Sequence, residues 1–259
     1  MNKTAIITGA SNGIGLELAR TFAKNKTDLV LVARSKDKLK VLSDELIKST
    51  GVKVKIISAD LSIIKNCESL VNELKNEDIT IEYLINNAGF GTSGFFTDTD
   101  LQKEIEMINL NIIALTYLTK IFAKEMKLRG SGKIMNVSST AAFQPGPLMA
   151  VYYATKAYVQ SFSEALANEL EGTGVTVTAL CPGPTASGFQ SAANINNVRL
   201  VKGRKLPTSA GVASFGYNAM MKGKTVAANG LMNKIGAQSY RFLPRKLITS
   251  VIRKIQETR

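Results

Sequence analysis

The sequence predicts an α/β fold in which a parallel sheet is covered by helices on both faces. Short, near-continuous apolar segments alternate with longer segments of helical periodicity. Such strands are typical of parallel sheets, which are buried on both faces. The 259 residues are 45% hydrophobic, which suffices for a large core and excludes a disordered chain. No repeat or convincing linker divides the chain, so we expect one domain with a C-terminal appendage.

Each element follows from its local pattern. Predicted strands cover Ala5–Thr8, Asp28–Ala33, Val52–Ser58, Tyr83–Asn86, Lys133–Ser138 and Val175–Cys181, with Thr225–Ala228 as a candidate last strand. Predicted helices cover Leu16–Lys26, Lys36–Thr50, Ile64–Lys75, Leu101–Arg129, Met149–Glu171, Ser209–Lys222, Leu231–Phe242 and Pro244–Gln256. Thr99 or Asp100 is expected to cap the long helix that begins at Leu101. Phe189–Pro207 is polar and basic and has no clear period.

The composition excludes several kinds of site. Histidine is absent, so catalytic triads and metal sites that need it are ruled out. The two cysteines, Cys67 and Cys181, are isolated and far apart, which predicts neither a disulfide framework nor a metal site. No signal peptide and no apolar run near the ~18 residues of a membrane span is recognisable, so we expect a cytoplasmic protein.

The net charge of +13 is unevenly distributed along the chain. Residues 1–198 hold 20 basic and 19 acidic residues, whereas residues 199–259 hold 13 basic residues and one acidic residue, Glu257. A strongly basic balance suggests nucleic acid, an anionic membrane or an acidic ligand as a partner. Here that inference applies to the last quarter of the chain alone.

A glycine-rich turn stands between the first predicted strand and the first helix. Glycines permit a tight turn, and the helix N-terminus behind them offers free N–H groups to a pyrophosphate. The context is that of a dinucleotide-binding βαβ unit, although the spacing G-x-x-x-G-x-G differs from the common fingerprint and a purely structural turn is the alternative. The candidate residues are Gly9, Ser11, Asn12, Gly13, Ile14 and Gly15.

The end of the second predicted strand bears on the choice of cofactor. An acidic side chain there would bind the ribose 2′-OH of NAD, but the chain has Arg34. Arginine is suited to a 2′-phosphate, and Lys36 and Lys38 add positive charge. NADP(H) is therefore favoured, with NAD(H), and Arg34 as an ordinary surface residue, as the alternative.

Two side chains one helical turn apart suggest acid–base chemistry. Tyr152 and Lys156 are i and i+4, and an ammonium beside a phenol lowers the phenol pKa. Taken alone, the pair is better explained by a buried tyrosine and a surface lysine. Ser138 and Ser139 follow a predicted strand at the edge where open α/β sheets bind ligands. Asn111, inside a predicted helix, suggests either a function or a buried amide with satisfied hydrogen bonds.

Together, these residues make the sequence resemble the short-chain dehydrogenase/reductase family. The resemblance implies a Rossmann-like, three-layer, doubly wound sheet of seven parallel strands, with extra C-terminal helices in this chain. It also implies NAD(P)-linked interconversion of carbonyls and alcohols. The motifs that carry the resemblance are TGASNGIG (8–15), Asp60-Leu61, NNAG (86–89), Asn111, Ser139, YYATK (152–156) and PGPT (182–185).

The resemblance also implies residue roles. Tyr152 matches the acid/base, Lys156 the residue that lowers its pKa and holds the nicotinamide ribose, and Ser139 the residue that bonds the substrate oxygen. Asn111 matches the asparagine that orders a proton-relay water. Further cofactor contacts are implied for Asp60 and Leu61 at the adenine, for Asn87, Ala88 and Gly89, and for Pro182, Gly183 and Thr185 at the nicotinamide. Ser187-Gly188 departs from the family pattern, which leaves contacts at the lid hinge open.

The substrate side follows from the loops that the family uses for selectivity. We expect a catalytic body over residues 1–188, a substrate lid over 189–222 and a basic helical extension over 229–259. An apolar carbonyl or alcohol, such as a 3-oxoacyl or lipid-like compound, is the expected substrate. The expected apolar pocket comprises Phe143, Leu148, Met149 and Phe189, with Phe90, Phe95 and Phe96 as further candidates.

The basic tail and the assembly allow several interpretations. The extension resembles that of a reductase subgroup with basic helical tails, and its apolar stripe predicts packing on the body or on a second subunit. Peripheral contact with an anionic membrane and docking of an acidic partner are the alternatives. A homodimer or homotetramer is expected. The competing function is a nucleotide sensor or nucleic-acid-binding module without turnover, but few aromatics accompany the basic residues, so no nucleic acid is expected.

Overall fold

The computed structural model describes residues 3–193, 195, 198, 199, 203, 205–230, 233, 235–237, 242 and 244–257. Its centre is a seven-stranded, all-parallel sheet with the order β3-β2-β1-β4-β5-β6-β7. The predicted fold class is therefore confirmed. The strands are β1 (Thr4–Thr8), β2 (Asp28–Ala33), β3 (Val54–Ser58), β4 (Tyr83–Asn86), β5 (Gly132–Val137), β6 (Val175–Cys181) and β7 (Val226–Ala228).

Helices cover both faces of the sheet. They are α1 (Gly13–Lys24), α2 (Lys36–Thr50), α3 (Ile64–Asn76), α4 (Leu101–Ile108), α5 (Leu115–Arg129), α6 (Ala150–Glu169), α7 (Phe189–Ala192), α8 (Ser209–Met221) and α9 (Arg245–Gln256). One buried apolar cluster joins α1, α2 and α8 to the sheet, and a second joins α3 and α5 to it. Two such clusters are what a doubly wound sheet requires, because each face must be covered.

The strand order determines where a ligand can bind. Strand β1 pairs with β2 on one side and with β4 on the other, so the chain changes direction across the sheet at β1. In open α/β sheets the carboxyl ends of the strands at such a point border a crevice. Both the glycine turn after β1 and the NNAG segment after β4 lie there.

The long predicted helix over residues 101–129 is continuous but not regular. Asp100 caps it by accepting a hydrogen bond from the Lys103 N–H (3.0 Å), and a π-helical segment, Asn109–Ala114, separates α4 from α5. Single π-turns within α-helices occur often at functional sites, and this one contains Asn111. No local pattern reveals this segment, because the Asn111 side chain within it bonds to Phe90 and Thr155, which are distant in the chain.

The same helix meets the length and composition test for a membrane span, contrary to the sequence-based expectation. Within Leu101–Arg129 an 18-residue window has a mean hydropathy of 1.3, and 39% of that window is buried inside the protein. Core helices of globular proteins pass the same test, so the finding is weak evidence for a span.

The C-terminal quarter departs most from the expectations. Phe189–Ala192 forms the short helix α7 at the start of the stretch predicted to lack a period. The predicted helix Leu231–Phe242 lies mostly outside the described residues. The predicted helix that follows is confirmed as α9, which begins directly after Pro244.

Candidate active site

A cavity of about 500 Å³ opens at the carboxyl ends of the central strands. Its lining includes the glycine turn, the NNAG segment, Ser139, Tyr152, Lys156 and the PGPT loop. Residues predicted from separate motifs along the chain are thus brought to one place. A cavity of this size is within the usual range for cofactor sites.

The glycine turn has the backbone geometry that a phosphate-binding turn needs. Gly9 and Gly13 have φ angles of 67° and 56°, which favour glycine. A Cβ on Gly15 would lie 2.3 Å from the Gly9 carbonyl oxygen, so a larger residue does not fit. Asn12 caps α1 by accepting a hydrogen bond from the Gly13 N–H (2.7 Å). The predicted residues 9 and 11–14 line the cavity, whereas Gly15 acts by its lack of a side chain.

The NNAG segment is attached to the end of β1. The Thr8 hydroxyl accepts hydrogen bonds from the N–H groups of Asn87 and Ala88, each at 3.0 Å, and the Asn87 amide donates to the carbonyls of Thr8 and Gly9. Asn87 thereby holds the glycine turn and the second loop in a fixed relation. Asn87, Ala88 and Gly89 all line the cavity, and their contact with a cofactor stays a prediction.

The far end of the cavity carries the residues expected at the adenosine. Arg34 and Lys38 line it after β2, and Asp60 and Leu61 line it after β3. The Arg34 side chain is 79% exposed and lies 3.8 Å from the Asp60 carboxylate. Asp60 also accepts hydrogen bonds from the backbone N–H and the hydroxyl of Ser62, which fix the loop before α3.

The cavity fits a nicotinamide dinucleotide. It is long enough to join a basic rim at Arg34 to the buried Tyr152 and Lys156, and the turn between them presents the N-terminus of α1. A side chain on Gly89 would meet the Asn111 amide oxygen at 2.8 Å, so close backbone approach is required there too. Pro182, Gly183 and Thr185 line the same cavity beside Ser139.

The electrostatics of Tyr152 and Lys156 differ from the expectation. Both side chains are buried, and burial raises the pKa of Tyr152 although a hydrogen bond with Ser139 opposes this rise. Burial lowers the pKa of Lys156 to about 8. The Lys156 Nζ donates to the Val137 carbonyl (2.9 Å) and lies 5.8 Å from the centre of the Tyr152 ring. The predicted lowering of the Tyr152 pKa is therefore wrong for this structure, because desolvation outweighs a lysine whose hydrogen bond goes to the backbone.

Asn111 lies beside the cavity but does not line it. Its amide accepts a hydrogen bond from the Phe90 N–H (3.2 Å) and donates to the Phe90 carbonyl (3.0 Å) and the Thr155 hydroxyl (3.1 Å). These contacts fit the alternative of a buried, satisfied amide, and they attach the π-turn to the loop after β4. A role in ordering a proton-relay water stays a prediction.

The predicted substrate pocket is only partly correct. Met149 and Phe189 line the cavity, and the rings of Phe189 and Tyr152 are 5.2 Å apart. The prediction for Phe143 is wrong, because this side chain packs instead against a small cluster on β6 and β7. The prediction for Leu148 is also wrong, because this residue does not line the cavity. It has a positive φ of 68° in a turn, and its carbonyl accepts a hydrogen bond from the Gly94 N–H.

Of the three phenylalanines in the neighbouring loop, one lines the cavity and two do not. Phe90 lines the cavity, whereas Phe95 and Phe96 are 54% and 63% exposed and do not. The Arg253 guanidinium of α9 lies over the Phe95 ring at 4.8 Å.

Among the lining residues that were not predicted, three lie at the inner end of the cavity: Tyr153, Ile195 and Gln256. Tyr153 has Ala157 rather than a lysine four residues later, so the Tyr/Lys spacing does not select it, yet it lines the cavity beside Tyr152. Ile195 lies in the lid and Gln256 at the end of α9. Gln256 is 103 residues from its hydrogen-bond partner Tyr153, a separation that no local pattern reveals. Among the described residues, no group of three Cys, Asp or Glu side chains is arranged to hold a metal ion.

Comparison with known proteins agrees with this site. The model of the short chain dehydrogenase family matches residues 3–197, and the chain belongs to that family. A solved short-chain dehydrogenase from Sphingobium yanoikuyae, in complex with NADPH, is 31% identical with a TM-score of 0.84. The match covers 99% of this chain and 98% of that one.

Two curated relatives have named activities. A ketoacyl reductase of Nostoc sp. is 35% identical over 181 residues, which are 70% of this chain and 63% of that protein. A 17-beta-hydroxysteroid dehydrogenase type 3 of Mus musculus is 35% identical over 187 residues, 70% of this chain and 60% of that protein. The chain thus spans about three fifths of the length of the curated relatives it matches.

Proposed function

We propose that the protein is an NADP(H)-dependent oxidoreductase that interconverts a carbonyl and a secondary alcohol on an apolar substrate. The observation that carries the proposal is that Ser139, Tyr152 and Lys156 line the same cavity as the glycine turn. A nucleotide sensor would need the turn but not these three side chains. Family membership supports the reaction class.

NADP(H) is preferred to NAD(H) in this proposal. Arg34 and Lys38 at the rim offer positive charge to a 2′-phosphate, and no acidic residue ends β2 to bind a free 2′-OH. The neighbouring structure in complex with NADPH supports the same choice.

The chemistry follows from the side chains at the inner end of the cavity. A bound nicotinamide supplies or accepts the hydride at the substrate carbon. Tyr152 donates a proton to the substrate oxygen, and Ser139 bonds that oxygen where negative charge develops. Burial raises the pKa of the Tyr152 phenol, so its protonated form can act as the acid when a carbonyl is reduced. Protonated Lys156 stabilises the phenolate that Tyr152 becomes.

The substrate, the assembly and the location are part of the proposal. Met149, Phe189 and Ile195 give the inner cavity an apolar wall, which suits a ketone with a large hydrocarbon part, in line with the ketoacyl and steroid compounds named for the relatives.

A homodimer or homotetramer in the cytoplasm is expected. The basic extension would add peripheral contact with an anionic membrane, and the division into body, lid and extension stays a prediction.

Replacement of the proposed acid tests the reaction class. Tyr152→Phe is expected to bind NADPH as the wild type does and to lose about 10²- to 10⁴-fold in kcat for ketone reduction, the usual loss when a general acid is removed. The measurements are NADPH binding by fluorescence and ketone reduction with NADPH and with NADH.

Tyr158→Phe is the matched control. Tyr158 lies on the same helix but is partly exposed and shares a hydrogen bond with Thr116. Its variant should retain activity. Full reduction by Tyr152→Phe would refute the assignment of Tyr152.

A further inference from the structure

The C-terminal helix α9 packs against the substrate end of the cavity. Its Ile248 and Gln256 are buried, and Ile252 packs against a cluster that contains Met149, Tyr152 and Tyr153. The contact of Arg253 with Phe95 anchors the same helix to the loop after β4. The helix is therefore part of the cavity wall.

Gln256 is the polar residue that α9 contributes to this wall. Only 4% of its surface is exposed, and its amide nitrogen donates a 2.6 Å hydrogen bond to the Tyr153 hydroxyl. Its amide oxygen, also buried, has no hydrogen-bond partner in the part of the chain that the structure describes. A buried acceptor without a partner costs free energy, so such a group in a cavity wall points to a ligand that supplies the missing donor.

The position of Gln256 relative to the reacting end is set by the two tyrosines. The Tyr152 and Tyr153 rings are in edge contact with centres 6.1 Å apart, and the Tyr153 hydroxyl holds Gln256. Gln256 is thus one side chain removed from the proposed acid, and it adds a polar group to a cavity that Met149 and Phe189 also line.

We propose that Gln256 is a specificity-determining residue whose amide oxygen accepts a hydrogen bond from a hydroxyl or amide N–H of the substrate, remote from the reacting carbonyl. The inference rests on the proposed function and adds a substrate class: apolar ketones with a second group that donates a hydrogen bond. Tyr153 acts through Gln256 as a positioning residue, because its hydroxyl orients the amide.

Matched ketones test the inference. The probes are straight-chain methyl ketones of increasing length, each compared with the analogue that carries a terminal hydroxyl. In the wild type, kcat/KM should favour the hydroxylated analogue by about three- to tenfold at one chain length, the gain expected from one hydrogen bond. In Gln256→Met the ratio should fall to about one, through KM more than kcat.

Two further variants keep the result interpretable. Leu247→Met, an exposed position on α9, should leave the ratio unchanged. Gln256→Asn keeps the amide on a shorter stem and should move the preference to a longer analogue, which a merely structural role would not do. Reduction of ketones without any hydroxyl preference, or a preference that survives in Gln256→Met, overturns the inference and leaves the proposed function intact. No reduction of any ketone overturns both.

Discussion

At the scale of single residues, burial of Lys156 makes stability depend on pH. Its pKa is lowered from 10.5 to about 8, so between these values the folded protein binds fewer protons than the unfolded chain. Stability should therefore rise as the pH increases from about 8 to 10.5. Below about pH 8, Lys156 is protonated in the folded protein, and burial of its charge lowers the free energy of unfolding by the full amount.

The expected rise can be isolated with Lys156→Met. Between about pH 7.5 and pH 10 the free energy of unfolding of the wild type should increase, relative to that of the variant, by about 2 kcal/mol. Urea unfolding of both proteins at the two pH values measures the difference. Tyrosines and cysteines remote from Lys156 affect both proteins alike, whereas Cys181, whose pKa the Lys156 charge lowers, contributes differently to the two curves. Parallel curves would show that Lys156 is not desolvated.

At the scale of elements, the turn between β1 and α1 combines two constraints at Gly15. A Cβ there would meet the Gly9 carbonyl oxygen at 2.3 Å and the Asn87 amide nitrogen at 2.4 Å, which hold the two cavity loops together. Gly15→Ala should displace the turn and weaken NADPH binding by about tenfold or more, in accord with the cost of overpacking. Calorimetric titration with NADPH measures the change.

Gly51→Ala provides the control for strain alone. Gly51 ends α2 with a φ of 73°, on the side of the sheet away from the cavity, and a Cβ there would meet nothing within 4 Å. This variant should lose about 1 kcal/mol of stability and retain NADPH affinity. Equal NADPH affinities for the two variants would contradict the role given to Gly15.

Individual elements differ in how well a sequence predicts them. Strands such as Asp28–Ala33 were predicted to the residue, because their apolar runs and flanking turns are local. The motifs after β1 and β4 were also located correctly, since parallel strands present their carboxyl ends at one edge. The π-turn at Asn109–Ala114 and the contact between Gln256 and Tyr153 were missed, because both depend on partners distant in the chain. The pKa of Tyr152 was misjudged because burial is a property of the whole fold.

At the scale of the whole molecule, charge and chemistry occupy different parts of the chain. The near-neutral residues 1–198 contain the motifs of the proposed site, and the basic excess lies beyond them. Helix α9 turns Ile248 toward the body, while Lys246, Leu247, Val251 and Lys254 are exposed. Packing therefore uses only part of its apolar stripe, so contact with a membrane would combine the exposed basic residues with the exposed Leu247 and Val251.

The exposed basic residues of α9 predict salt-sensitive binding to anionic vesicles. The full chain should sediment with phosphatidylserine vesicles at low ionic strength and be released at high salt, because each basic residue near such a surface contributes about 1 kcal/mol. Lys246→Gln with Lys254→Gln should lower the partition coefficient by about 30-fold. The matched pair Lys40→Gln with Lys48→Gln, exposed on α2, should change it little. Equal, salt-insensitive partitioning of all three proteins would reject a membrane role for α9 and leave packing on the cavity as its one supported role.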